Sequence, residues 1–367
     1  MDVTWWGHST VVISDAGTRL VTDPVFGTRI AHLRRRAGAR PATEATQVDA
    51  AVVSHLHADH LDIPSLKLLP PTAPIILPRG GAALLARRHP ALAERCVEMV
   101  PGDRVRVTSR DGGAGRIGAT GGGDGDRGGL DRGDHDGGDH DGGVDAAAGL
   151  DVLAVPAEHD GSRGPWSRHR GPALGFVVTG TRTVWFAGDT ALHDAMADLV
   201  PLGLDLALVP VGGWGPNLGP GHLDPAGAVE AVRRTLRPRP VPPPLVSARP
   251  APVQTGRSTG PAPVAGPPAV AVPIHYGTFW PIGFDRVRPD RFHEPGREFA
   301  RLAGAADLSA QVRVLAHGES MAVPVAGPFA VGPASPGRAS RLATETVPPR
   351  DMSLPWDVPL PRDVPPA

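Results

Sequence analysis

The stretch that decides the fold is Asp49-Ala50-Ala51-Val52-Val53-Ser54-His55-Leu56-His57-Ala58-Asp59-His60. It begins with an apolar run that predicts a short buried strand, and it ends with three histidines and an aspartate within six residues. Neutral imidazole nitrogens and carboxylate oxygens are the usual protein ligands of Zn²⁺ and similar divalent ions. Because a strand end delivers the following loop to the edge of its sheet, this stretch predicts a metal site at a sheet edge.

Three more metal-capable side chains occupy a similar setting further along the chain. His159, Asp189 and His275 each lie shortly after an apolar, strand-like run. A single histidine at a strand end is more often structural or solvated than a ligand, and the alternative for the cluster itself is a solvated polar turn. Several desolvated histidines would be costly without a metal to use their lone pairs. We therefore predict one site built from His55, His57, Asp59, His60, His159, Asp189 and His275.

The strand-like runs fall into two batches, residues 1–110 and 150–325, and each batch contains helical segments. This order fits two sheets packed face to face with helices outside, although periodicity alone equally allows one doubly wound sheet. Helices are predicted at residues 63–69, 80–88, 191–199, 225–236 and 297–305. We expect one metallo-hydrolase domain over residues 1–325, interrupted by disordered insertions at 111–149 (Gly/Asp-rich) and 237–268 (Pro-rich), and a Pro-rich tail at 326–367.

The pattern His55-x-His57-x-Asp59-His60 resembles the H-x-H-x-D-H signature of the metallo-β-lactamase superfamily of metal-dependent hydrolases. The three later residues match that family's remaining ligands in order and context. Three further segments resemble one branch of the superfamily: WGHST at residues 6–10, TDPVF at 22–26 and PIHYGTF at 273–279. That branch contains N-acyl phosphatidylethanolamine phospholipase D and L-ascorbate-6-phosphate lactonase.

The resemblance implies an α+β fold, a four-layer αββα sandwich with the metals at one sheet edge. It implies two divalent ions, zinc by expectation with manganese or iron as alternatives, which share a nucleophilic hydroxide. In this arrangement Asp59 also orients the hydroxide or shuttles its proton. The resemblance distributes the ligands as follows: His55, His57 and His159 on the first ion, Asp59, His60 and His275 on the second, and Asp189 as the bridge.

Candidate substrate-facing residues lie near these ligands. His222 precedes Asp224 and Pro225, which are typical of a helix N-cap and first helical residue, and the resemblance also points to an active-site histidine here. A helix N-terminus suits an anionic group, so we predict that His222 acts in catalysis and binds substrate. Trp214 and Tyr276 are predicted to contact substrate, with core packing as the alternative for the tryptophan. His8 and Asp23 either hold a ligand side chain in place or are ordinary buried residues.

The bulk composition excludes several function classes. The formal net charge is −1, so the chain offers no general electrostatic attraction for nucleic acid or for an anionic membrane. Cys96 is the single cysteine, which rules out an intrachain disulfide. No stretch approaches the ~18 apolar residues of a membrane span. The N-terminal sequence lacks the pattern of a signal peptide, and we expect a cytoplasmic protein.

These observations predict a dinuclear metal-dependent hydrolase that acts on a phosphodiester, a phosphate-bearing lactone or a related ester. The expected partner is a small-molecule or lipid-like substrate, with no nucleic acid. An acyl hydrolase of the β-lactamase or thioesterase type is the alternative within enzymes, because the same metal site would serve it. A non-catalytic metal-binding scaffold is a third hypothesis, but such a protein would be expected to lose ligands that this chain retains.

The Gly/Asp-rich insertion generates the first testable prediction. Deleting residues 112–148 should leave folding and activity largely intact, because a segment with so few apolar residues has little to bury. Thermal unfolding and turnover would be measured on the deletion variant beside the full chain. A collapse of thermal stability would contradict the prediction.

Overall fold

The computed structural model describes residues 1–109, 116–119, 149–236 and 269–325, apart from the single positions Ala39, Ala42, Pro165, Asp307 and Ser309. The predicted insertion at 237–268 and the predicted tail at 326–367 lie outside the described residues, as does most of the insertion at 111–149. Within that last stretch, the structure places a strand at Arg116–Ala119, and the next strand already begins at Gly149.

The secondary-structure elements follow one another as short strands with a few helices. The strands are β1 (Asp2–Gly7), β2 (Thr10–Asp15), β3 (Thr18–Thr22), β4 (Arg29–Ile30), β5 (Leu33–Arg35), β6 (Ala50–Val52), β7 (Ile75–Pro78), β8 (Cys96–Met99), β9 (Arg104–Thr108), β10 (Arg116–Ala119), β11 (Gly149–Pro156), β12 (Leu174–Thr179), β13 (Thr183–Phe186), β14 (Leu206–Pro210), β15 (Ala269–Ile274), β16 (Phe279–Pro281), β17 (Ala310–Val312) and β18 (Glu319–Ala322). The helices are α1 (Ile63–Leu66), α2 (Gly81–Ala86), α3 (Pro90–Ala93), α4 (Pro225–Thr235), α5 (Pro289–His293) and α6 (Pro295–Ala305), with 3₁₀ segments at Thr43–Ala45 and Asp194–Leu202.

The strands form two large mixed sheets and one small sheet. The first sheet has the order β18-β1-β2-β3-β6-β7-β8, and the second has the order β10-β9-β11-β12-β13-β14-β15-β17. The small sheet is β16-β5-β4. Strands β3, β6, β7 and β8 are parallel neighbours in the first sheet, and β13, β14, β15 and β17 are parallel neighbours in the second.

Both faces of the first sheet are buried, which makes the architecture layered. Val11 and Ile13 of β2 belong to the same apolar core as Phe176 of the second sheet. Val12, which points to the opposite face, belongs to a separate core with Leu66 of α1. On the far side of the second sheet, α4 and α6 pack on each other and against β14 and β15. The predicted αββα sandwich is confirmed, and the alternative of a single doubly wound sheet is wrong.

The predicted helices near residues 63, 80, 225 and 297 are present, with somewhat different ends. The predicted helix at 191–199 is instead the 3₁₀ segment Asp194–Leu202. Pro201 lies inside this segment, and a proline lacks the backbone N–H that an α-helical turn needs there. The small sheet and β18 were not predicted, because two to four residues are too few to show a period of two.

The strand directions bring the chemically important residues to one place. Asp23 follows β3 and Ser54 follows β6, and these strands are parallel. In the second sheet β11, β13 and β15 run in the same direction, and they are followed by His159, Asp189 and His275. The carboxyl ends of these strands therefore meet along one edge of the sandwich. No helix in the described part of the chain has both the length and the apolar composition to cross a bilayer.

The core between the sheets generates the second prediction. Phe176→Ala should lower the free energy of unfolding by about 3–5 kcal/mol, because Phe176 is fully buried and its removal leaves a cavity. Leu68→Ala is the matched control: Leu68 is 60% exposed, and its loss should change stability by no more than about 0.5 kcal/mol. Denaturant unfolding measures both changes. Equal effects of the two substitutions would contradict the assignment of Phe176 to the core.

Candidate metal centre

The histidine loop after β6 is anchored at both of its ends. Asp62 caps α1, because its carboxylate accepts the Ser65 backbone N–H at 3.1 Å. The guanidinium of Arg163, from the loop after His159, donates to the carbonyl oxygens of Leu56 at 3.0 Å and Leu61 at 2.8 Å. These anchors fix the backbone from which the cluster of histidines projects. Arg163 was not predicted from the sequence, because no local pattern points to it.

Asp23 and Ser54 hold two of the histidine rings. The buried Asp23 carboxylate accepts the Ser54 backbone N–H and hydroxyl, each at 2.7 Å, and its Oδ2 lies 2.6 Å from His60 Nδ1. The Ser54 hydroxyl oxygen lies 3.0 Å from His55 Nδ1. His55 and His60 thus have Nδ1 engaged, which leaves Nε2 for a metal. Ser54 was also missed, although it stands between the apolar strand and the first histidine.

Backbone carbonyls hold two further rings in the same way. His159 Nδ1 lies 2.9 Å from the carbonyl oxygen of Gly221, and His275 Nδ1 lies 2.9 Å from that of Gly212. Gly221 has a φ of +77°, and a Cβ there would lie 2.7 Å from His159 Nδ1, so the position requires glycine. His57 is reversed, since its Nδ1 faces the cluster and lies 2.9 Å from His55 Nε2.

The metal-capable atoms form two groups that share no residue, and Asp189 belongs to two further groups that overlap them, one with His55 and His60 and one with His159 and His222. The first group is His55, His57 and His159, and the second is His8, Asp59, His60 and His275, with the atoms of each group within 4.8 Å of one another. Asp189 Oδ2 lies 3.2 Å from Nε2 of both His60 and His275. The structure therefore brings together all of the residues that the sequence predicted as ligands, and it places His8 and His222 beside them.

The polar atoms at this edge fit a bound cation. Asp189 Oδ1 is buried and has no hydrogen-bond partner among the described residues. His60 Nε2 and His275 Nε2 lie 3.2 Å apart, as two nitrogens on one ion would. An unpartnered carboxylate oxygen beside converging imidazole nitrogens is the donor set that divalent ions such as Zn²⁺ bind.

The protonation states also suit metal ligands. Burial lowers the pKa of His55 and His275 well below the usual range, and it lowers the pKa of His159 to about 4. These imidazoles are neutral near pH 7 and keep a lone pair. Burial alone would raise the pKa of Asp59 and Asp189, but neighbouring histidines outweigh it, so both pKa values lie well below the usual range. Neutral imidazoles with ionised carboxylates are what metal binding requires.

His60 is the exception among the histidines predicted as ligands. Burial lowers its pKa, but the charges of Asp189, Asp59 and Asp23 outweigh burial and raise the pKa well above the usual range. The cause is a surplus of negative charge around one ring. A cation beside Asp59 and Asp189 would supply the positive charge that the His60 proton otherwise supplies.

His222 lies at the rim of this group and faces it. Its Nδ1 is 3.1 Å from the carbonyl oxygens of Gly219 and Pro220, and its Nε2 is 3.4 Å from Asp189 Oδ2. Burial lowers the pKa of His222, but the Asp189 carboxylate outweighs it and raises the pKa above the usual value. The next helix begins as predicted, with the Asp224 carboxylate accepting the backbone N–H of residue 227. A cleft of about 520 Å³ opens beside His222.

Trp214 and Tyr276 make packing contacts. Trp214 packs against the small apolar cluster that includes Val25 and Phe279. Tyr276 is buried, and its ring stacks on Trp5 with a centroid distance of 5.3 Å. Their role in binding substrate stays a prediction.

Comparisons with known proteins agree with this geometry. A family model described as the beta-lactamase superfamily domain matches residues 18–242. An N-acyl-phosphatidylethanolamine-hydrolyzing phospholipase D of Caenorhabditis elegans is 28% identical over 251 residues, which cover 64% of this chain and 61% of that protein. A metal-dependent hydrolase of Thermus thermophilus is 26% identical over 289 residues, which cover 78% of this chain and 88% of that protein. The chain thus spans less than two thirds of the length of the Caenorhabditis elegans relative.

A solved structure shares the fold. The metallo hydrolase from the archaeon Ignicoccus hospitalis superposes with a TM-score of 0.51 at 18% identity, over 87% of this chain and 97% of that one. At this identity the likeness concerns the fold alone. The family match carries further, because residues 18–242 are more than half of the 367 residues, and the chain therefore belongs to the beta-lactamase superfamily.

Proposed function

We propose that this metal-dependent hydrolase holds two divalent ions and hydrolyses a phosphodiester, a phosphate-bearing lactone or a related ester. The observation that carries the proposal is the placement of Asp189 between two groups of metal-capable atoms. Zinc is the first choice of metal because imidazoles dominate the donor set, and manganese or iron are the alternatives.

The two groups divide the ligands between the ions. His55, His57 and His159 would hold the first ion, Asp59, His60 and His275 the second, and Asp189 would touch both. Two divalent ions that share a carboxylate and a water lower the pKa of that water toward neutrality and supply a hydroxide nucleophile.

The residues around the ions have separate tasks. Asp59 is ionised, buried and a member of the second group, so its carboxylate would orient the attacking water beside the ion that it helps to hold. His222 stands at the mouth of the site with a raised pKa, so it can donate a hydrogen bond to an oxygen that becomes negative in the transition state.

The substrate class is argued from the cleft and from one relative. His222 and Arg291 line the same cleft together with Asp224, and a histidine N–H and a guanidinium can both donate hydrogen bonds to an anionic group such as phosphate. The Caenorhabditis elegans relative is named for hydrolysing N-acyl-phosphatidylethanolamine, a lipid phosphodiester. Both observations support a phosphodiester, and the relative favours a lipid-like one.

Metal dependence is the direct test. The purified chain should contain up to two divalent ions, chelation should abolish hydrolysis of a generic phosphodiester such as bis(p-nitrophenyl) phosphate, and added Zn²⁺ should restore it. Elemental analysis and the same assay with a cephalosporin complete the experiment. A fully active preparation without metal would refute the proposal, and faster turnover of the cephalosporin would favour the acyl hydrolase.

Substitutions of Asp189 and His222 should have different effects on metal content and turnover. Asp189→Ala removes the shared anionic ligand, so metal content should fall and turnover should nearly vanish on every substrate. His222→Ala should keep both ions and lose about 2–4 kcal/mol of transition-state stabilisation, the usual effect of one hydrogen-bond donor to an oxyanion. The loss should be larger for anionic substrates than for neutral esters.

Metal analysis and kinetics on both variants decide between these roles, with the exposed His293→Ala as the matched control. If His222→Ala loses metal as Asp189→Ala does, His222 is a ligand. If it keeps full activity on all substrates, it has no catalytic role.

A further inference from the structure

His8 is held in an unusual backbone conformation between β1 and β2. Its φ is +51°, and it is almost fully buried. Its backbone N–H donates to Thr278 Oγ1 at 2.7 Å, and its carbonyl oxygen accepts Trp5 Nε1–H and the His275 backbone N–H, each at 2.9 Å. A positive φ in a non-glycine residue persists only where surrounding contacts fix it. Three hydrogen bonds, two of them to the segment that follows β15, therefore hold this one residue in place.

Neighbouring side chains support the same turn from outside. Thr278 Oγ1, which accepts the His8 N–H, also lies 2.9 Å from His317 Nε2. The His317 ring stacks on Trp5 at a centroid distance of 4.6 Å. Gly7 has a φ of +103°, and a Cβ there would lie 2.7 Å from His317 and 2.8 Å from Thr278 Oγ1. These contacts restrict the backbone conformation of the turn that carries His8.

The His8 side chain is aimed at Asp59. His8 Nε2 lies 3.0 Å from Asp59 Oδ2, and the His8 ring lies against the His275 ring with a centroid distance of 4.1 Å. Asp59 Oδ2 is also the oxygen that faces the second group, at 3.5 Å from His60 Nε2 and 3.9 Å from His275 Nε2. One carboxylate oxygen is thus shared between His8 and the place of the second ion.

We infer that His8 is a positioning residue whose Nε2–H donates to Asp59 Oδ2 and fixes this carboxylate for the second ion; the inference rests on the proposed two-ion function. The His8–Asp59 contact is shorter than the other contacts of Asp59 Oδ2 given above, and it has the length of a hydrogen bond. A nitrogen that donates its proton to a carboxylate has no lone pair left for a metal. The second lone pair of Oδ2 remains available to the ion.

Two variants separate this role from a merely structural one. His8→Asn keeps a residue that tolerates positive φ, but its side chain is too short to reach Asp59. His8→Gln returns an N–H at about the reach of the imidazole Nε2. His293→Asn, at an exposed histidine, is the matched control. The metal-free proteins would be titrated with Co²⁺ and Zn²⁺, and the affinity of each ion would be read from visible absorption and calorimetry.

We expect His8→Asn to weaken the second ion by about tenfold to a hundredfold, the usual effect of removing the hydrogen-bond partner of a metal ligand. His8→Gln should recover most of this loss. The first ion and the melting temperature of the metal-free protein should change little in either variant, which separates positioning from misfolding.

Three results would overturn the inference. Wild-type affinity of His8→Asn for the second ion would remove the role of His8. Complete loss of that ion in both variants, as expected for Asp59→Ala, would make His8 a ligand. A metal-free protein that melts much earlier, with both ions weakened equally, would make His8 structural. A wild-type chain that binds one ion in total would instead refute the two-ion function. The titration of the wild-type chain therefore distinguishes failure of the two-ion function from failure of the role of His8.

Discussion

Buried negative charge at the shared edge of two sheets is the constraint on which the rest of this structure depends. Asp23, Asp59 and Asp189 are at most 7% exposed. An ionised carboxylate that loses its water costs several kcal/mol unless hydrogen bonds or opposite charge compensate. Asp23 is compensated by Ser54 and His60. Asp59 and Asp189 contact several imidazoles among the described residues, and bound cations would add to the compensation that these rings provide.

That constraint explains why several residues at this edge have a positive φ. Three of the six non-glycine residues with positive φ in the described part of the chain belong to this edge, namely His8, Asp23 and His275. Each is the point at which a strand ends and a side chain must turn toward the centre. The His8 carbonyl oxygen accepts the His275 N–H, so two of these strained residues hold each other. Strain of this kind is retained where the surrounding contacts determine the geometry, as they do at functional sites.

The candidate ligands could be predicted from the sequence, whereas the residues that hold their rings in place could not, and the reason is physical. The ligands at residues 55–60 form a local pattern after a recognisable strand, and the later ligands repeat that setting. The residues that hold the rings have no such pattern. Arg163 reaches carbonyl oxygens about a hundred positions away, and Thr278 meets His8 across 270 positions. Periodicity encodes which face of a strand is buried, but it does not encode which sheet covers that face, so the sandwich itself came from the family resemblance.

The two halves of the centre are built from different ranges of the chain. The first group consists of residues from the loop after β6 and of His159, which follows β11. The second group needs the N-terminal turn at His8, the same loop, and His275 after β15. The N-terminal turn and the segment after β15 are joined through Thr278, and β1 pairs with β18, the last strand described. Binding of an ion at the second group would therefore require the segments at His8 and His275 to be docked on each other, whereas binding at the first group would not. Because metal binding energy is also folding energy, an ion in the second group would stabilise the closure of the sandwich from its two ends.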